Sequence, residues 1–209
     1  YIHEIKRIAK ECNSEIIIGF TSFPNMYAKI VGAMLRIPSI MSERGDPQRT
    51  NNKSIKSNIV RIIINRSSGG VFQTEGAMEF FGRSLQKRSV VIPNPIFLDE
   101  ITPLVKQEER EKTVVSVGRL DNEQKRYDVM LDAFKIFSEK HPEYTLKMYG
   151  KGPDEEKIRV WVNERGLSEK VNFMGLTTQP MRDIAHDGMF IITSDYEGIS
   201  NSLLEAMAV

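Results

Sequence analysis

Eight short β-branched runs punctuate this chain: EIIIGF (15–20), PSIMSE (38–43), VFQT (71–74), SVVIP (89–93), TVVSVG (113–118), TLKMYG (145–150), VNFMG (171–175) and MFIITS (189–194). Between them lie longer segments with the period of a helix, clearest over 2–12, 25–35, 127–140 and 154–165, and Gly166 stands where a C-cap glycine belongs. Several runs are continuously apolar. A strand that shows water one face alternates, whereas a strand covered on both faces need not, so the pattern selects parallel sheets between helices. Repeated βα units with short connections predict open, doubly wound α/β sheets.

The stretch PNPIFLDEITPLVKQEEREK (93–112) carries three prolines and then a charge run, and it separates two sets of βα units. Its composition fits an interdomain joint and an ordinary surface loop alike. A length of 209 residues accommodates one large domain or two modest ones. The opening helical segment begins without an N-cap, and AMAV ends the chain without a capping glycine. Both ends therefore read as cut, and the expectation is a fragment holding the second half of one α/β domain and most of another.

Charge and cysteine usage narrow the function classes. Lys and Arg number 29 against 28 Asp and Glu, so no global field favours nucleic acid or an anionic membrane. A lone cysteine, Cys12, excludes an internal disulfide and a cysteine metal cluster. His3, His141 and His186 are scattered, which favours surface or capping roles over metal binding. No apolar run approaches the ~20 residues that span a bilayer, and YIHEIKRIAKECNSE has no signal-peptide core. A cytosolic setting is the expectation.

Chemistry-bearing residues collect after the strands. Glu197 follows MFIITS, and Glu205 lies eight positions on, with the small residues Gly198, Ser200, Asn201 and Ser202 between them. Ser202-Leu-Leu-Glu205 fits a capping box, which would put Glu205 in the first turn of a helix. A helix start with small side chains also suits an anion. Capping and phosphate binding both predict this composition. A second cluster, VGRLDNEQKRYDVMLDAF (117–134), sets Gly118 and Arg119 directly after a strand and Lys125 just before a helix. Two solvated cations on a polar loop would look the same, yet this pair could also neutralise a diphosphate. YGKGPDEE offers Gly150 and Gly152 as G-x-G but has Glu155 at the third glycine position, so a tight strand-to-helix turn with Pro153 in the first helical turn is the better reading.

In this order the motifs resemble family 4 of the retaining glycosyltransferases. SVGRLDNEQK with its Arg-x5-Lys spacing, YGKGPDEE, VNFMGLTT and the E-x7-E signature Glu197-GISNSLL-Glu205 carry the resemblance over 113–209. SERGDP (42–47), VFQTEGAMEFF (71–81) and VVIPNPI (90–96) are similar to the end of the acceptor domain in bacterial surface-polysaccharide members. The resemblance implies the GT-B fold of two Rossmann-like doubly wound parallel-sheet domains, both truncated here. Residues 1–95 would be the C-terminal half of the acceptor domain, and 96–209 the nucleotide-sugar donor domain without its last part. It also implies catalytic roles for Glu197, Arg119 and Lys125, with Arg119 and Lys125 on the donor diphosphate. Glu205 would hold the ribose hydroxyls, and Glu197 would face the transferred sugar. N–H groups around Ser200–Leu203, with Gly198, Ile199, Asn201 and Ser202, would receive phosphate oxygens. Gly118, Gly150, Phe173, Gly175 and Leu176 would line the donor pocket, the base being uracil in most relatives.

The implied partners are a nucleotide sugar, UDP-linked, as substrate and a glycan or polyprenyl-linked acceptor. No cofactor, metal or nucleic acid is expected; the setting is cytoplasmic, peripheral at the inner membrane face. On the acceptor side Arg44 and Asp46 are the candidates, with a salt-bridged loop as the alternative. Many relatives have a histidine near these positions that this chain lacks. Ser67-Ser68-Gly69-Gly70 reads as a turn. Two rival functions stay open: a GT-B enzyme of other chemistry, such as a phosphorylase or epimerase, and a nucleotide-sugar-binding module without catalysis.

Overall fold

The computed structural model of the chain describes residues 1–50, 54–96 and 105–209; positions 97–104 of the proline-rich stretch lie outside the described residues. It divides into two compact units, Tyr1–Asn94 with Glu197–Ile199, and Pro95–Tyr196 with Ser200–Val209.

The first unit holds a four-stranded parallel sheet in the order β1 (Ile17–Phe20), β2 (Ser39–Glu43), β3 (Gly69–Phe72), β4 (Ser89–Val91). Its helices are α1 (Ile2–Glu11), α2 (Ser22–Leu35), α3 (Pro47–Thr50), α4 (Ile55–Ile64), α5 (Glu75–Glu79) and α6 (Arg83–Gln86). Met41 and Phe72 face Val60, Ile64, Phe81 and Leu85 in one core. Ser54 and Thr74 cap α4 and α5 by accepting from the N–H groups of Ser57 and Ala77, which satisfies donors that each first turn leaves orphaned. The turn expected at 67–70 is shorter than predicted: Gly69 and Gly70 open β3. They pair in register with β2, and a Cβ on Gly70 would lie 2.6 Å from Ser89 Oγ. Glycine here marks a crowded strand rather than a bend.

The second unit holds a parallel sheet in the order β7-β6-β5-β8, with β5 (Glu111–Val117), β6 (Thr145–Tyr149), β7 (Val171–Gly175) and β8 (Asp187–Phe190). Its helices are α7 (Asn122–Lys125), α8 (Tyr127–Lys140), α9 (Glu155–Glu164), α10 (Pro180–Ile184) and α11 (Asn201–Met207). One sheet face buries Val114, Leu146 and Met148 against Met130, Leu131, Phe134, Ile158 and Val162 of α8 and α9. On the other, Val115, Val117, Tyr149 and Phe190 meet Ile184 of α10 and Ala206 of α11. Gly166 (φ 69) closes α9: its N–H reaches Asn163 O and the Leu167 N–H reaches Val162 O, the paired bonds of a Schellman end.

Two local expectations are corrected. The strand anticipated at 189–194 runs over Asp187–Phe190, its register shifted against β5 between Glu111 and Val114. Gly188 permits this, since a Cβ there would lie 2.5 Å from Glu111 O. Pro153 does not enter α9, because Asp154 is the N-cap and the proline sits in the preceding turn.

Candidate active site

The order of the second sheet fixes where a ligand can lie. From β5 the chain steps outward to β6 and β7, then returns to place β8 on the opposite side of β5. The loops leaving β5 and β8 therefore diverge to opposite faces at their carboxyl ends, a switch point of the kind that opens a crevice in α/β sheets. Arg119 and Lys125 belong to the first of these loops, and Glu197 follows the second in sequence.

A cavity of about 310 Å³ opens beside that point, walled by Gly118, Arg119, Tyr149, Gly150, Lys151, Leu176 and Thr177 at the ends of β5, β6 and β7. Gly118, Arg119, Gly150 and Leu176, all singled out in the sequence, are thus brought together. Gly150 (φ 142) has no room for a side chain, since a Cβ would meet Gly118 O at 1.8 Å. Its N–H donates to Gly175 O at 2.7 Å, which ties the β6 and β7 loops together. Lys125 lies against the same wall: its Cε is 3.5 Å from where a Gly118 Cβ would stand. The Phe173 ring packs towards the core, with the Arg159 guanidinium 4.0 Å above it, so only its backbone is placed to serve the pocket side.

Residues not anticipated from the sequence hold this wall in place. Asp121 Oδ2 lies 2.5 Å from Arg119 Nη2, so the exposed guanidinium is already oriented by a carboxylate. Asp121 Oδ1 also accepts from the Glu123 N–H at 3.2 Å and caps α7. The buried Tyr127 hydroxyl lies 3.3 Å from both Gly118 O and Arg119 O, and burial pushes its pKa upward. Asp154 Oδ2 accepts from the Asn122 N–H at 2.7 Å. Tyr127 opens α8 beside the apolar stripe of that helix, and only its hydroxyl distinguishes it from a purely core residue.

The final helix departs from the capping-box expectation. Its N-cap is Ser200, whose Oγ accepts from the Leu203 N–H at 3.4 Å; Ser202 is already inside α11, its Oγ 3.1 Å from that of Ser200. Glu205 consequently lies in the second turn, beyond reach of the box geometry. Partial burial lifts its carboxyl above the ordinary value. Glu197, Gly198 and Ile199 group with the first unit, and Asn201, Ser202, Leu203 and Glu205 with the second.

In the first unit the carboxyl ends of β2, β3 and β4 carry a polar network. Arg44 Nη2 donates to Asn94 Oδ1 at 2.8 Å, and Gln73 Nε2 donates to the same oxygen. Asp46 Oδ1 accepts from the Gln48 N–H at 2.9 Å, a turn contact at the start of α3. Glu43, within SERGDP but not among the acceptor-side candidates, has a place of its own. This carboxylate is buried at the end of β2, where its Oε1 accepts from the Arg44 and Gly45 N–H groups at 3.1 and 3.2 Å, and desolvation raises its pKa. Its signal was the period of two: Met41 and Glu43 share a face, and that face is the core.

The family model for glycosyl transferases group 1 matches residues 99–209. An uncharacterized glycosyltransferase of Haemophilus influenzae is 23% identical over 206 residues, covering 98% of this chain and 58% of its own length. A lipopolysaccharide 1,6-galactosyltransferase of Salmonella typhimurium is 34% identical over 134 residues, 61% of this chain and 36% of its own. Among solved structures, Anabaena Alr3699/HepE with UDP and glucose superposes at a TM-score of 0.81 with 17% identity, over 99% of this chain and 59% of that one. The chain thus spans roughly half the length of these relatives, and the structural likeness establishes the shared fold.

Proposed function

The chain belongs to the glycosyl transferases group 1 family, and from that premise we propose that it is part of a retaining glycosyltransferase. The donor is a nucleoside diphosphate sugar, UDP-linked, and the acceptor is a surface glycan or a polyprenyl-linked precursor presented at the cytoplasmic membrane face. One observation carries this reading. Arg119 stands in the wall of the 310 Å³ cavity, and Lys125 lies against the adjacent Gly118, at the switch point of the matched domain. The Anabaena structure holds UDP, and a Campylobacter jejuni relative is named for transfer to a diphospho-undecaprenol-linked acceptor; both support the choice of substrate class.

In the transfer, the bond between sugar C1 and the diphosphate breaks and its electron pair leaves with the phosphate. The acceptor oxygen bonds to C1 on the face the diphosphate leaves, and its proton passes to the departing phosphate oxygen. Negative charge grows on the leaving diphosphate while positive charge grows on the sugar. Fixed cations aimed at the first stabilise the transition state more than the ground state. Arg119 and Lys125 supply that potential without a divalent ion, and Glu197 stabilises the positive character of the sugar.

Titration calorimetry with UDP tests the reading. Arg119→Ala and Lys125→Ala each lower affinity about tenfold or more, the scale of a lost charge-assisted contact. Equal binding by parent and both variants would refute it. Because the chain spans only part of its relatives, the 209 residues alone transfer little or no sugar. Robust turnover by this chain in a radiolabelled-donor assay would disprove that part.

A further inference from the structure

Arg126 joins α7 to α8 with a left-handed backbone, φ 52 and ψ 52; among the described residues of the second unit it is the one non-glycine residue with positive φ. A Cβ crowds the following carbonyl in that conformation, which is why glycine or asparagine usually fills such positions. An arginine there needs a reason, and its side chain supplies one. Nε and Nη2 donate to Asp128 Oδ1 and Oδ2 at 3.0 and 2.9 Å, while Nη1 reaches Asp195 Oδ1 at 3.3 Å.

The backbone on either side is stitched across the switch point as well. Thr193 Oγ1 lies 2.9 Å from Lys125 O and 3.0 Å from Arg126 O. The Asp195 N–H donates to Gln124 O at 2.9 Å, and Gln124 Nε2 donates to Tyr196 O at 3.2 Å. The end of α7, which carries Lys125, and the segment Thr193–Tyr196, which leads in sequence to Glu197, therefore form one bonded block.

We propose that Arg126 is a positioning residue of the donor site, clamping Asp195 to the Lys125 turn so that the two loops hold one geometry for the diphosphate. The inference rests on the donor-site reading above. A planar guanidinium suits the task because it serves two carboxylates at once, which an ammonium on a flexible stem does not. A purely structural Arg126 would only secure the start of α8 through Asp128. Its removal would then lower the melting temperature and leave the affinity of the folded protein alone.

The test is UDP calorimetry on the chain together with thermal melts. Arg126→Gly relieves the backbone and removes the clamp, so UDP affinity falls about tenfold, or about 1.4 kcal/mol, while the melting temperature holds or rises. Asp195→Asn gives a similar loss. The double variant is no weaker than the worse single one, as expected of two groups in one interaction. Arg126→Lys recovers only part of the affinity. If the parent binds no UDP, the donor-site reading and the clamp fall together. If the parent binds but both single variants match it, or if their losses add or merely track a falling melting temperature, the clamp alone is overturned.

Discussion

The two sheets were read from the same kind of sequence, and they bury themselves differently. In the second unit β5 is fully buried over Thr113–Ser116, with helices on both faces. In the first, β1 buries Gly19 but leaves Ile18 54% and Phe20 56% exposed, and Val90 of β4 is 53% exposed. The register gathers these exposed residues on one side of the sheet, in a row that also holds the buried Ser42. Phe20, Ser42, Val71 and Val90 are aligned partners in neighbouring strands, as are Ile18 and Ile40, so the outward apolar residues form one face rather than scattered points. A continuous apolar run marks a strand fit for burial on both sides. It does not reveal whether both sides are buried in the chain at hand.

The largest effect that would break this comparison is a core truncation. Phe134→Ala, from a side chain 2% exposed, should cost about 3–5 kcal/mol through lost burial and a residual cavity. Phe20→Ser on the open face should stay within about 0.5 kcal/mol. Urea unfolding followed separately in each unit measures both. A Phe20 cost as large as that of Phe134 would mean that the first sheet is covered in solution after all.

Next in size is the pH response of the first unit. Burial raises the Glu43 carboxyl from its ordinary 4.5, so between 4.5 and the raised value the folded protein holds more protons than the unfolded chain. Stability then falls as pH rises through that window, and the full benefit of the protonated carboxyl is present only below it. Glu43→Gln keeps an oxygen for the Arg44 and Gly45 N–H groups and removes the charge. It should therefore melt higher than the parent at pH 7 and lose the downward slope, with the two proteins converging in acid. Melts recorded from pH 3 to 8 check this, and parallel profiles would show that Glu43 is solvated enough to ionise freely.

Each of the eight strands overlaps its β-branched run, because such runs between turn signals depend little on context, although β3, β5 and β8 each begin two residues ahead of theirs; α8 was legible end to end because its apolar stripe is periodic. What stayed hidden depended on partners distant in sequence. The second role of Tyr127 needs the carbonyls of Gly118 and Arg119 brought under its hydroxyl. Arg126 needs Asp195, sixty-nine residues away. Glu43 stands at the end of an apolar run, and only its β2 register shows that it is buried where the charges after it are not.

A metal chelator tests whether side chains alone meet the diphosphate. If Arg119 and Lys125 alone meet the diphosphate, UDP affinity should be the same in excess EDTA as in millimolar magnesium. A loss of affinity on chelation would transfer part of the charge stabilisation from the side chains to an ion.

A helix-cap substitution decides which serine starts α11. S-x-x-E matched at Ser202, yet the cap is Ser200, because a motif of four positions is satisfied by chance whenever serines recur at i and i+2. The distinction matters for Glu205. In a capping box the carboxylate would be occupied by its own backbone, whereas in the second turn it is available to hydroxyl donors and carries a raised pKa instead. Ser200→Ala should cost about 1 kcal/mol in unfolding experiments on the second unit, the usual worth of a side-chain cap, and Ser202→Ala only a few tenths. If the order were reversed, Glu205 would return to the helix as a capping group, and its carboxylate would be taken up by its own backbone.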